Sequence, residues 1–426
     1  MKLLIKNAQI VNFDAIQKGD ILIHNSRISK IGTIKGEPVD KEIDAQGKYV
    51  VPGLIDMHTH LRTPGREDEE DLRSASMAAA KGGYTTIFCM PNTDPAIDNE
   101  GLAKWIVDEA SQLGLVDIYP IGAVTKERAG RELTEFGALQ RAGCLSLSDD
   151  GNSLEDSALL RRALEYARMY DLLIISHCED TQLSCRGLMR EGFISSKYGI
   201  RGVPSISESI VVFRNISLAR YLNTKIHLAH ISTKESIEII KKAKNEGVRV
   251  SCETAPHYFI WSLEDIEKSH FHGNFKVNPP LGDEGDIRAI KSALRDGVID
   301  CIATDHAPHS KGEKELAFEE APFGFIGLEF AFALSYTHLV KEGSLDLKQL
   351  VKKMSYSPAS ILQLEGKGYI KEGASADMAI VDLGKGFTVQ EENIVSKSKN
   401  TPALGFKLEG VIEYTIHKGK IVYKNV

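Results

Sequence analysis

Short apolar runs recur along the middle of the chain, and most are followed by a segment with the spacing of an amphipathic helix. Leu154–Met169 and Lys234–Asn245, for example, carry apolar residues at i, i+3 and i+4. Eight runs read as buried strands: Leu54–Met57, Thr85–Met90, Ile118–Val124, Cys144–Leu147, Leu172–Ser176, Lys225–Ala229, Arg249–Cys252 and Asp300–Ala303. Eight strand–helix units in about 300 residues predict an α/β fold, a closed (β/α)8 barrel of the TIM type. A doubly wound open sheet would need a glycine-rich phosphate loop after the first strand, and the sequence has none there.

The two ends of the chain have a different pattern, with β-branched residues and turn signals. Strands are predicted at Lys2–Val11, Asp20–His24, Arg27–Ile31 and Tyr49–Val51, and again at Met378–Asp382 and Gly410–Tyr423. Each end alone is too short to bury a sheet. We therefore predict a small β-sandwich domain formed by both termini, residues 1–50 and 370–426, and a barrel over residues 51–369.

Composition and charge argue against several classes of protein. The 426 residues are 42% hydrophobic and 26% charged, which is enough apolar content for a large core and excludes a disordered chain. No apolar run approaches the ~18 residues of a membrane-spanning helix, and the first residues turn polar too soon for a signal peptide. The net charge of −7 argues against binding to nucleic acid or to an anionic membrane. Six scattered cysteines with no Cys-x-x-Cys pair indicate reduced thiols in a cytoplasmic protein.

Histidine and aspartate follow several of the predicted barrel strands. His58 and His60 end the first strand, and because alternate residues share a face, both can point into the barrel mouth. The fourth, fifth, sixth and eighth strands are followed by Asp149-Asp150, His177, His230 and Asp305. Imidazole and carboxylate ligands suit Zn²⁺. Because the set is dispersed and holds no cysteine, it predicts a catalytic rather than a structural zinc site.

A series of short motifs runs in order through nearly the whole chain. They are Asp56-Met57-His58-Thr59-His60-Leu61-Arg62-Thr63-Pro64-Gly65, Gly82-Gly83-Tyr84-Thr85-Thr86, Met90-Pro91-Asn92-Thr93, Ser148-Asp149-Asp150-Gly151, His177-Cys178-Glu179-Asp180, Ala229-His230-Ile231-Ser232, Glu253-Thr254-Ala255-Pro256-His257, Val277-Asn278-Pro279-Pro280-Leu281, Thr304-Asp305-His306-Ala307-Pro308-His309 and Pro322-Phe323-Gly324. With these motifs the sequence resembles the amidohydrolase superfamily and, within it, the class I dihydroorotases of bacteria. The His-x-His pair alone marks the superfamily, whereas His-Leu-Arg-x-Pro-Gly together with Met-Pro-Asn-Thr narrows the resemblance to dihydroorotases.

The resemblance implies a reaction, the zinc-dependent and reversible hydrolysis of the cyclic amide of (S)-dihydroorotate to N-carbamoyl-L-aspartate in pyrimidine biosynthesis. Asp305 would serve as the general base and general acid. Together with His58 and His60 it would also bind one zinc ion, while His177 and His230 would bind a second. One or two zinc ions per subunit are expected.

The resemblance also implies a ligand that bridges the two metals. Many relatives use a carboxylated lysine, but class I dihydroorotases use an aspartate, which matches Asp150. Asp149 stays open as the alternative, since the sequence does not show which of two neighbouring residues at a strand end faces the barrel mouth. Lys126 follows the third strand and lies in what reads as a solvated loop, where a protonated ammonium would repel a metal ion.

Substrate contacts follow from the same resemblance. Three side chains would bind the substrate carboxylate through cationic and hydrogen-bonding groups: Arg62, Asn92 and His309. The other expected substrate contacts, including those to the ring's amide edges, are His60, Leu61, Asn278, Phe323 and Gly324.

Two other functions stay open at this point. One is another cyclic amidohydrolase, such as an allantoinase or a dihydropyrimidinase, whose neutral substrates would give Arg62 and Asn92 no carboxylate to bind. The other is a non-catalytic dihydroorotase-like subunit that supports aspartate carbamoyltransferase, although such proteins typically lose metal ligands. We expect a homodimer, with aspartate carbamoyltransferase as a candidate partner.

Several residues near these motifs are expected to be structural. Cys178 is interpreted as a packed neighbour of His177. His227 is an odd number of residues from His230, so it should face away from the barrel interior. The acidic run Glu67–Asp71 reads as a solvated helix start, favoured there by the helix dipole.

Overall fold

The computed structural model describes residues 1–425. Its strands, in chain order, are β1 (Lys2–Val11), β2 (Ile16–His24), β3 (Arg27–Gly32), β4 (Lys41–Asp44), β5 (Tyr49–Pro52), β6 (Leu54–Thr59), β7 (Tyr84–Cys89), β8 (Asp117–Pro120), β9 (Gly122–Ala123), β10 (Ser146–Ser148), β11 (Leu173–Ser176), β12 (Met189–Arg190), β13 (Gly202–Val203), β14 (Ile226–Leu228), β15 (Val250–Thr254), β16 (Cys301–Ile302), β17 (Met378–Thr388), β18 (Lys407–His417) and β19 (Lys420–Lys424). The α-helices are α1 (Leu72–Lys81), α2 (Glu100–Leu113), α3 (Phe136–Arg141), α4 (Ser157–Met169), α5 (Thr181–Ser184), α6 (Phe193–Tyr198), α7 (Ile206–Leu222), α8 (Lys234–Asn245), α9 (Leu263–Lys268), α10 (Glu284–Arg295), α11 (Lys311–Lys314), α12 (Ala331–Ser335), α13 (Leu347–Val351) and α14 (Ser357–Ile361). No helix of the described residues is long and apolar enough to cross a membrane.

Parallel strands form a closed barrel in the middle of the chain. One set pairs in the order β6-β7-β8, and the other in the order β9-β10-β11-β14-β15-β16. β8 and β9 are parts of one barrel strand interrupted at Ile121, whose N–H donates to the carbonyl of Cys89 on β7 at 2.8 Å. The last strand meets the first, because the N–H of His60 donates to the carbonyl of His306 at 2.8 Å. The predicted (β/α)8 barrel is therefore confirmed, and each of its strands overlaps a predicted apolar run.

Helices cover the outside of the barrel, each burying one face. α8 begins after Thr233, whose side chain accepts a hydrogen bond from the N–H of Ser236. The same helix buries Ile237, Ile240 and Ala243 at helical spacing. Side chains of the helices and strands form the largest apolar cluster, and a second cluster fills the barrel interior. Because the interior is packed, ligand chemistry is confined to the ends of the strands.

Both ends of the chain contribute to one eight-stranded sheet. Its order is β19-β18-β17-β5-β1-β2-β3, and β4 also pairs with β1. β17, from the C-terminal end, runs antiparallel to β5, so neither end completes the sheet alone. Ile5, Ile21, Met378 and Ile416 belong to a buried cluster within this sheet. The two termini therefore meet as predicted, whereas a sandwich of two stacked sheets stays a prediction.

A buried ion network joins the terminal sheet to the barrel. Nζ of Lys367 lies 2.6 Å from a carboxylate oxygen of Asp377, next to β17, and 2.9 Å from one of Asp117, the first residue of β8. Nζ of Lys418, between β18 and β19, lies 2.6 Å from the other oxygen of Asp117. Burial by itself raises the pKa of Asp117, but His417, Lys367 and Lys418 together hold that pKa far below its usual value.

Replacing Lys367 by methionine tests this network. The substitution leaves two buried carboxylates, Asp117 and Asp377, without the cation they share. We expect Lys367→Met to lower the free energy of unfolding, measured in urea, by about 3–5 kcal/mol. The control is Lys385→Met, because Lys385 is half-exposed and pairs with Glu413 at 3.1 Å, and it should cost less than about 1 kcal/mol. Equal losses in the two variants would contradict the prediction.

Candidate metal centre and active site

The barrel brings the histidines and aspartates predicted at its strand ends to one place. His58 lies on β6, His177 follows β11, His230 follows β14 and Asp305 follows β16, and all four are buried. His230 and Asp305 have positive φ angles of 32° and 49°, a left-handed conformation that non-glycine residues rarely adopt. Such strain is found where the surrounding structure imposes it, typically at functional sites. At His230 it breaks the alternation of β14, because Leu228 packs in the outer apolar cluster and Ala229 in the interior one.

Asp150, which follows β10, lies between two pairs of histidines. Its Oδ2 lies 3.5 Å from Nε2 of His58 and 3.7 Å from Nε2 of His60. Its Oδ1 lies 3.4 Å from Nε2 of His230 and 3.7 Å from Nδ1 of His177. Asp150 therefore presents one carboxylate oxygen to each histidine pair, which is the arrangement that a bridging ligand requires.

Asp305 completes the first of these groups, and the spacing of the whole set fits a metal ion. Oδ1 of Asp305 lies 3.0 Å from Nε2 of His60 and 3.4 Å from Nε2 of His58. Two ligand atoms of one tetrahedral zinc ion, each about 2.0–2.1 Å from it, lie about 3.4 Å apart. Nε2 of His58 and Oδ1 of Asp150 are also buried without a hydrogen-bond partner among residues 1–425, which is costly unless a ligand pairs with them. The residues present fit divalent metal ions.

The electrostatics of the cluster are those of a cation site. Burial disfavours the charged forms, yet the carboxylates of Asp150 and Asp305 hold the pKa of His58 well above its usual value. Burial likewise opposes the ionised form of Asp305, but His58 and His60 lower its pKa to about 2. The pKa of Asp150 is also held well below its usual value, against the effect of burial, by His58, His177 and the other imidazoles around it. Both carboxylates are therefore ionised at neutral pH.

Asp149 and Lys126, the other candidates for the bridge, are engaged elsewhere. Oδ1 of Asp149 accepts hydrogen bonds from the N–H groups of Val124 and Thr125, at 2.9 and 3.0 Å, and its Oδ2 accepts one from the hydroxyl of Thr125. Asp149 therefore fixes the chain at the end of the third barrel strand. Nζ of Lys126 lies in solvent, 2.5 Å from a carboxylate oxygen of Glu132. Neither residue is directed at the histidines.

His227 and Glu253 orient His58, and sequence reasoning did not find them. Nδ1 of His58 donates to Oε1 of Glu253 at 2.8 Å, and Oε2 of Glu253 lies 3.3 Å from Nε2 of His227. The expectation that His227 faces away from the barrel interior is wrong. It assumed regular alternation up to His230, but the left-handed conformation of His230 breaks that alternation. The signal available in the sequence was the acidic residue Glu253 in an otherwise buried strand.

Glu179 orients His177 in the same way. Oε2 of Glu179 accepts a hydrogen bond from Nε2 of His177 at 2.9 Å, which leaves Nδ1 of His177 facing Asp150. The same oxygen accepts a hydrogen bond from Nδ2 of Asn278, also at 2.9 Å. Asn278, an expected substrate contact, is thus held beside the metal ligands through Glu179.

Another buried carboxylate, Glu69, holds two of the three residues expected to bind the substrate carboxylate. Nε of Arg62 lies 3.0 Å from Oε2 of Glu69, and Nδ1 of His309 donates to Oε1 of Glu69 at 3.0 Å. Nη2 of Arg62 and Nε2 of His309 are 3.2 Å apart. Asn92 lies against the metal group, since its Oδ1 accepts a hydrogen bond from Nδ1 of His60 at 2.8 Å. The structure therefore places all three residues around the cluster.

Burial of Glu69 corrects the interpretation of the acidic run Glu67–Asp71. Only Asp71, the N-cap of α1, acts as a helix start. Glu69 and Glu70 are 1% and 0% exposed, and Glu70 contacts His306 at 3.4 Å. The sequence pattern of a solvated charge run does not reveal which of its carboxylates will meet buried cations after folding.

The remaining expected substrate contacts differ in what they can offer. The side chain of Leu61 is fully buried in the large apolar cluster, so only its main chain could reach a ligand. The carbonyl oxygen of Phe323 lies 2.8 Å from Nε2 of His309. The N–H of Gly324 already donates to the carbonyl of Lys276 at 2.8 Å. The main chain at Phe323 and Gly324 therefore lies beside His309, with the Gly324 N–H paired internally.

The cysteines take no part in this chemistry. Cys178 is buried beside Asn215 and Ser176, and burial raises the pKa of its thiol to about 12, which agrees with its interpretation as a packed neighbour of His177. All six cysteines are free thiols.

Comparison with known proteins identifies the family. Residues 47–236 match the family described as Dihydro-orotase-like, and residues 228–423 match the Amidohydrolase family. The chain is 46% identical to a dihydroorotase of Acetivibrio thermocellus and 46% identical to one of Trichlorobacter lovleyi, and each match covers 99% of both chains. The chain belongs to the dihydroorotase family, within the amidohydrolase superfamily.

Solved structures agree with the barrel fold of this dihydroorotase-family chain. An L-hydantoinase (dihydropyrimidinase) from Arthrobacter aurescens superposes with a TM-score of 0.89 at 25% identity, covering 99% of this chain and 96% of the other. A dihydropyrimidinase from Brevibacillus agri superposes with a TM-score of 0.86 at 24% identity, covering 100% and 95%. These likenesses extend over both the barrel and the sheet formed by the termini.

Metal analysis tests the position of Asp150. We expect Asp150→Ala to lose at least one metal equivalent per chain, measured by atomic emission after gel filtration, because it removes the carboxylate that faces both histidine pairs. Lys126→Ala should keep the wild-type metal content, and reconstitution should need no bicarbonate. Asp149→Ala is the sharper control, since it should lower the free energy of unfolding and leave the metal content unchanged. A full metal complement in Asp150→Ala would contradict the prediction.

Proposed function

We propose that this protein is a metal-dependent dihydroorotase that interconverts (S)-dihydroorotate and N-carbamoyl-L-aspartate in pyrimidine biosynthesis. One observation carries the assignment: Arg62 and His309, whose side chains lie 3.2 Å apart, closely follow His60 and Asp305 in the chain and so lie at the same end of the barrel as the cluster. A cluster of this kind can hydrolyse an amide, and the cationic group selects a ring that bears a carboxylate. Relatives named dihydroorotase, 44–46% identical over the whole chain, support the same function.

We propose zinc as the metal, with two ions per subunit. His58, His60 and Asp305 would hold one ion, His177 and His230 the second, and Asp150 would contribute one oxygen to each. The donor set of imidazole nitrogens and carboxylate oxygens supports zinc. When bound, such ions act as Lewis acids that polarise the amide carbonyl and lower the pKa of water.

Asp305 would move the proton that the reaction requires. It is ionised at neutral pH, and its Oδ1 lies 3.0 Å from Nε2 of His60 and 3.4 Å from Nε2 of His58. From this position it accepts a proton from the attacking water and delivers it to the ring nitrogen that leaves. Ring closure of carbamoyl aspartate uses the same carboxylate in the opposite direction.

Substrate orientation would come from the groups that surround the cluster. Arg62 and His309, both held by Glu69, bind the carboxylate of the ring, and Nδ2 of Asn92 is free to donate to it because Oδ1 already accepts from His60. Asn278, with the main chain at Phe323 and Gly324, would contact the amide edges of the ring, and Leu61 would contribute through its main chain.

The alternative functions fit the site less well. Hydantoinases and dihydropyrimidinases share the fold, but a neutral ring would offer no carboxylate to Arg62 and His309, which Glu69 holds side by side. A non-catalytic partner of aspartate carbamoyltransferase would not need an intact metal-ligand set.

We also propose that residues 1–50 and 370–426 form a small β-sandwich domain beside a barrel of residues 51–369, which the separate apolar cluster of the terminal sheet supports. A homodimer, a cytoplasmic location and an aspartate carbamoyltransferase partner stay predictions from the sequence.

A substrate panel tests the assignment. Purified, zinc-loaded protein should hydrolyse L-dihydroorotate and form it from N-carbamoyl-L-aspartate, followed by absorbance and by chromatography. Activity on dihydrouracil, hydantoin and allantoin should be at least 100-fold lower, because these rings carry no carboxylate for Arg62 and His309. Faster turnover of any neutral ring would show that the substrate assignment is wrong.

Asp305→Asn tests the proton-transfer step. The amide cannot accept the proton, so kcat should fall by roughly 10² to 10⁴. Because Asp305 is also an expected ligand, zinc content is measured on the same sample, and the rate is compared per bound metal. Near-normal turnover per bound metal would remove Asp305 from this role.

A further inference from the structure

Two buried lysines, Lys276 and Lys314, lie behind the predicted substrate contacts. Each is only 2% exposed, although lysine is rarely buried without an acidic partner. No carboxylate of residues 1–425 lies within 4.0 Å of either ammonium group. Lys276 directly precedes Val277, and Lys314 is the last residue of α11. These are two buried cations for which the proposed reaction has no direct use.

Both ammonium groups donate to the main chain of one segment, residues 315–324, which we call the 315–324 loop. Nζ of Lys314 donates to the carbonyls of Pro322 and Gly324, each at 2.8 Å. Nζ of Lys276 donates to the carbonyls of Phe318 and Glu319, at 2.7 and 3.0 Å. A lysine side chain can donate several hydrogen bonds at once, so four carbonyls of this loop are fixed by two side chains.

Aromatic packing and main-chain bonds tie the same loop to Lys276. Its ammonium lies 4.7 Å from the ring centre of Phe323, close enough for a cation–π interaction. The N–H of Gly324 donates to the carbonyl of Lys276 at 2.8 Å. Gly324 has a φ of 112°, and a Cβ there would lie 2.5 Å from the side chain of Ala307. The end of the loop is therefore set against the segment that follows the last barrel strand.

This end of the loop is the part that reaches the site. The carbonyl oxygen of Phe323 lies 2.8 Å from Nε2 of His309, and His309 is 3.2 Å from Arg62. A shift of the loop would therefore move the main chain at Phe323, which lies beside His309 and Arg62, without displacing any metal ligand. On its other side the loop borders a cavity of about 540 Å³ lined by Phe271, Leu316 and other residues, while Phe318 of the loop is buried in the large apolar cluster.

The charged forms of both lysines are unfavourable at these buried positions. Burial lowers the pKa of Lys314 to about 7 and that of Lys276 to about 8, and the two like charges add to the effect at Lys314. A pair of apolar side chains of the same length would avoid that cost. The cost is explained if the lysines are needed to hold the loop.

We propose that Lys276 and Lys314 are positioning residues that clamp the 315–324 loop, so that Phe323, Gly324 and His309 meet the carboxylate-bearing substrate. The proposal rests on the proposed dihydroorotase function and assigns the lysines a role in substrate binding. The clamp acts on ground-state binding, because neither lysine contacts the cluster that performs the chemistry.

Steady-state kinetics of Lys314→Met in the full, zinc-loaded chain tests the clamp. Methionine has nearly the same length and removes a buried charge, so the variant should fold and keep its zinc. We expect KM for dihydroorotate to rise about tenfold, as for the loss of a charged hydrogen bond, while kcat changes less than about threefold. Lys311→Met, on the same short helix but with Lys311 exposed, is the matched control and should behave as wild type. An unchanged KM in Lys314→Met would overturn the proposal.

Lys276→Met should also raise KM with little change in kcat. If Lys314→Met does not fold, Lys276→Met serves as the test in its place. A merely structural role would lower the midpoint of unfolding in both variants without a change in KM. A fall in kcat with unchanged KM in a fully metal-loaded variant would also count against the clamp.

Hydrogen exchange provides a readout that does not depend on the reaction. The N–H groups of Gly324 and Ile326 donate to the carbonyls of Lys276 and Asn400, and they should exchange at least tenfold faster in Lys314→Met than in wild type or Lys311→Met. Unchanged exchange would overturn the clamp whatever the kinetics show. If the wild-type chain does not turn over dihydroorotate, the proposed function fails, and the exchange rates alone decide whether the lysines hold the loop.

Discussion

The buried carboxylate of Asp150 is the contact on which the site depends. It lies within 3.4–3.7 Å of four imidazoles that come from three barrel strands, and it reaches His58 and His60 across the barrel mouth, since two strands separate β10 from β6. A carboxylate in such a place is stable only when cations compensate for its burial. The histidines do so in part, and their spacing leaves room for metal ions. The site is therefore complete only when the barrel is closed.

Two carboxylates and one amide fix three of the four imidazoles around Asp150. Glu253 accepts a hydrogen bond from His58, Glu179 accepts one from His177, and the amide oxygen of Asn92 accepts one from His60. Each partner binds the nitrogen that points away from the cluster, so the other nitrogen faces the cluster and can serve as a ligand. Glu253 itself has a pKa lowered to about 2, since His227 and His58 outweigh the effect of burial. The histidines are thus held in orientation before any ligand arrives.

Much of this protein could be predicted from local patterns. Strand-length apolar runs and helical spacing give the order of the barrel elements, and the polar residues after the strands mark His58, His60 and Asp305 as members of one site. The partners of those residues could not be predicted in the same way. Glu69 reads as one of several exposed acids, and His227 reads as facing outward, because both assignments depend on contacts between residues far apart in the chain.

The sequence by itself determined the alternation of strands and helices, the residue types at the strand ends and the family, because these are properties of neighbouring residues. Only the tertiary structure decided between Asp149 and Asp150. Asp149 accepts hydrogen bonds from the N–H groups of Val124 and Thr125, whereas Asp150, one residue later, faces four histidines. A change of one residue at a strand end reverses the direction of a side chain. Which carboxylate enters the site is therefore set by the closing of the barrel, which no local pattern contains.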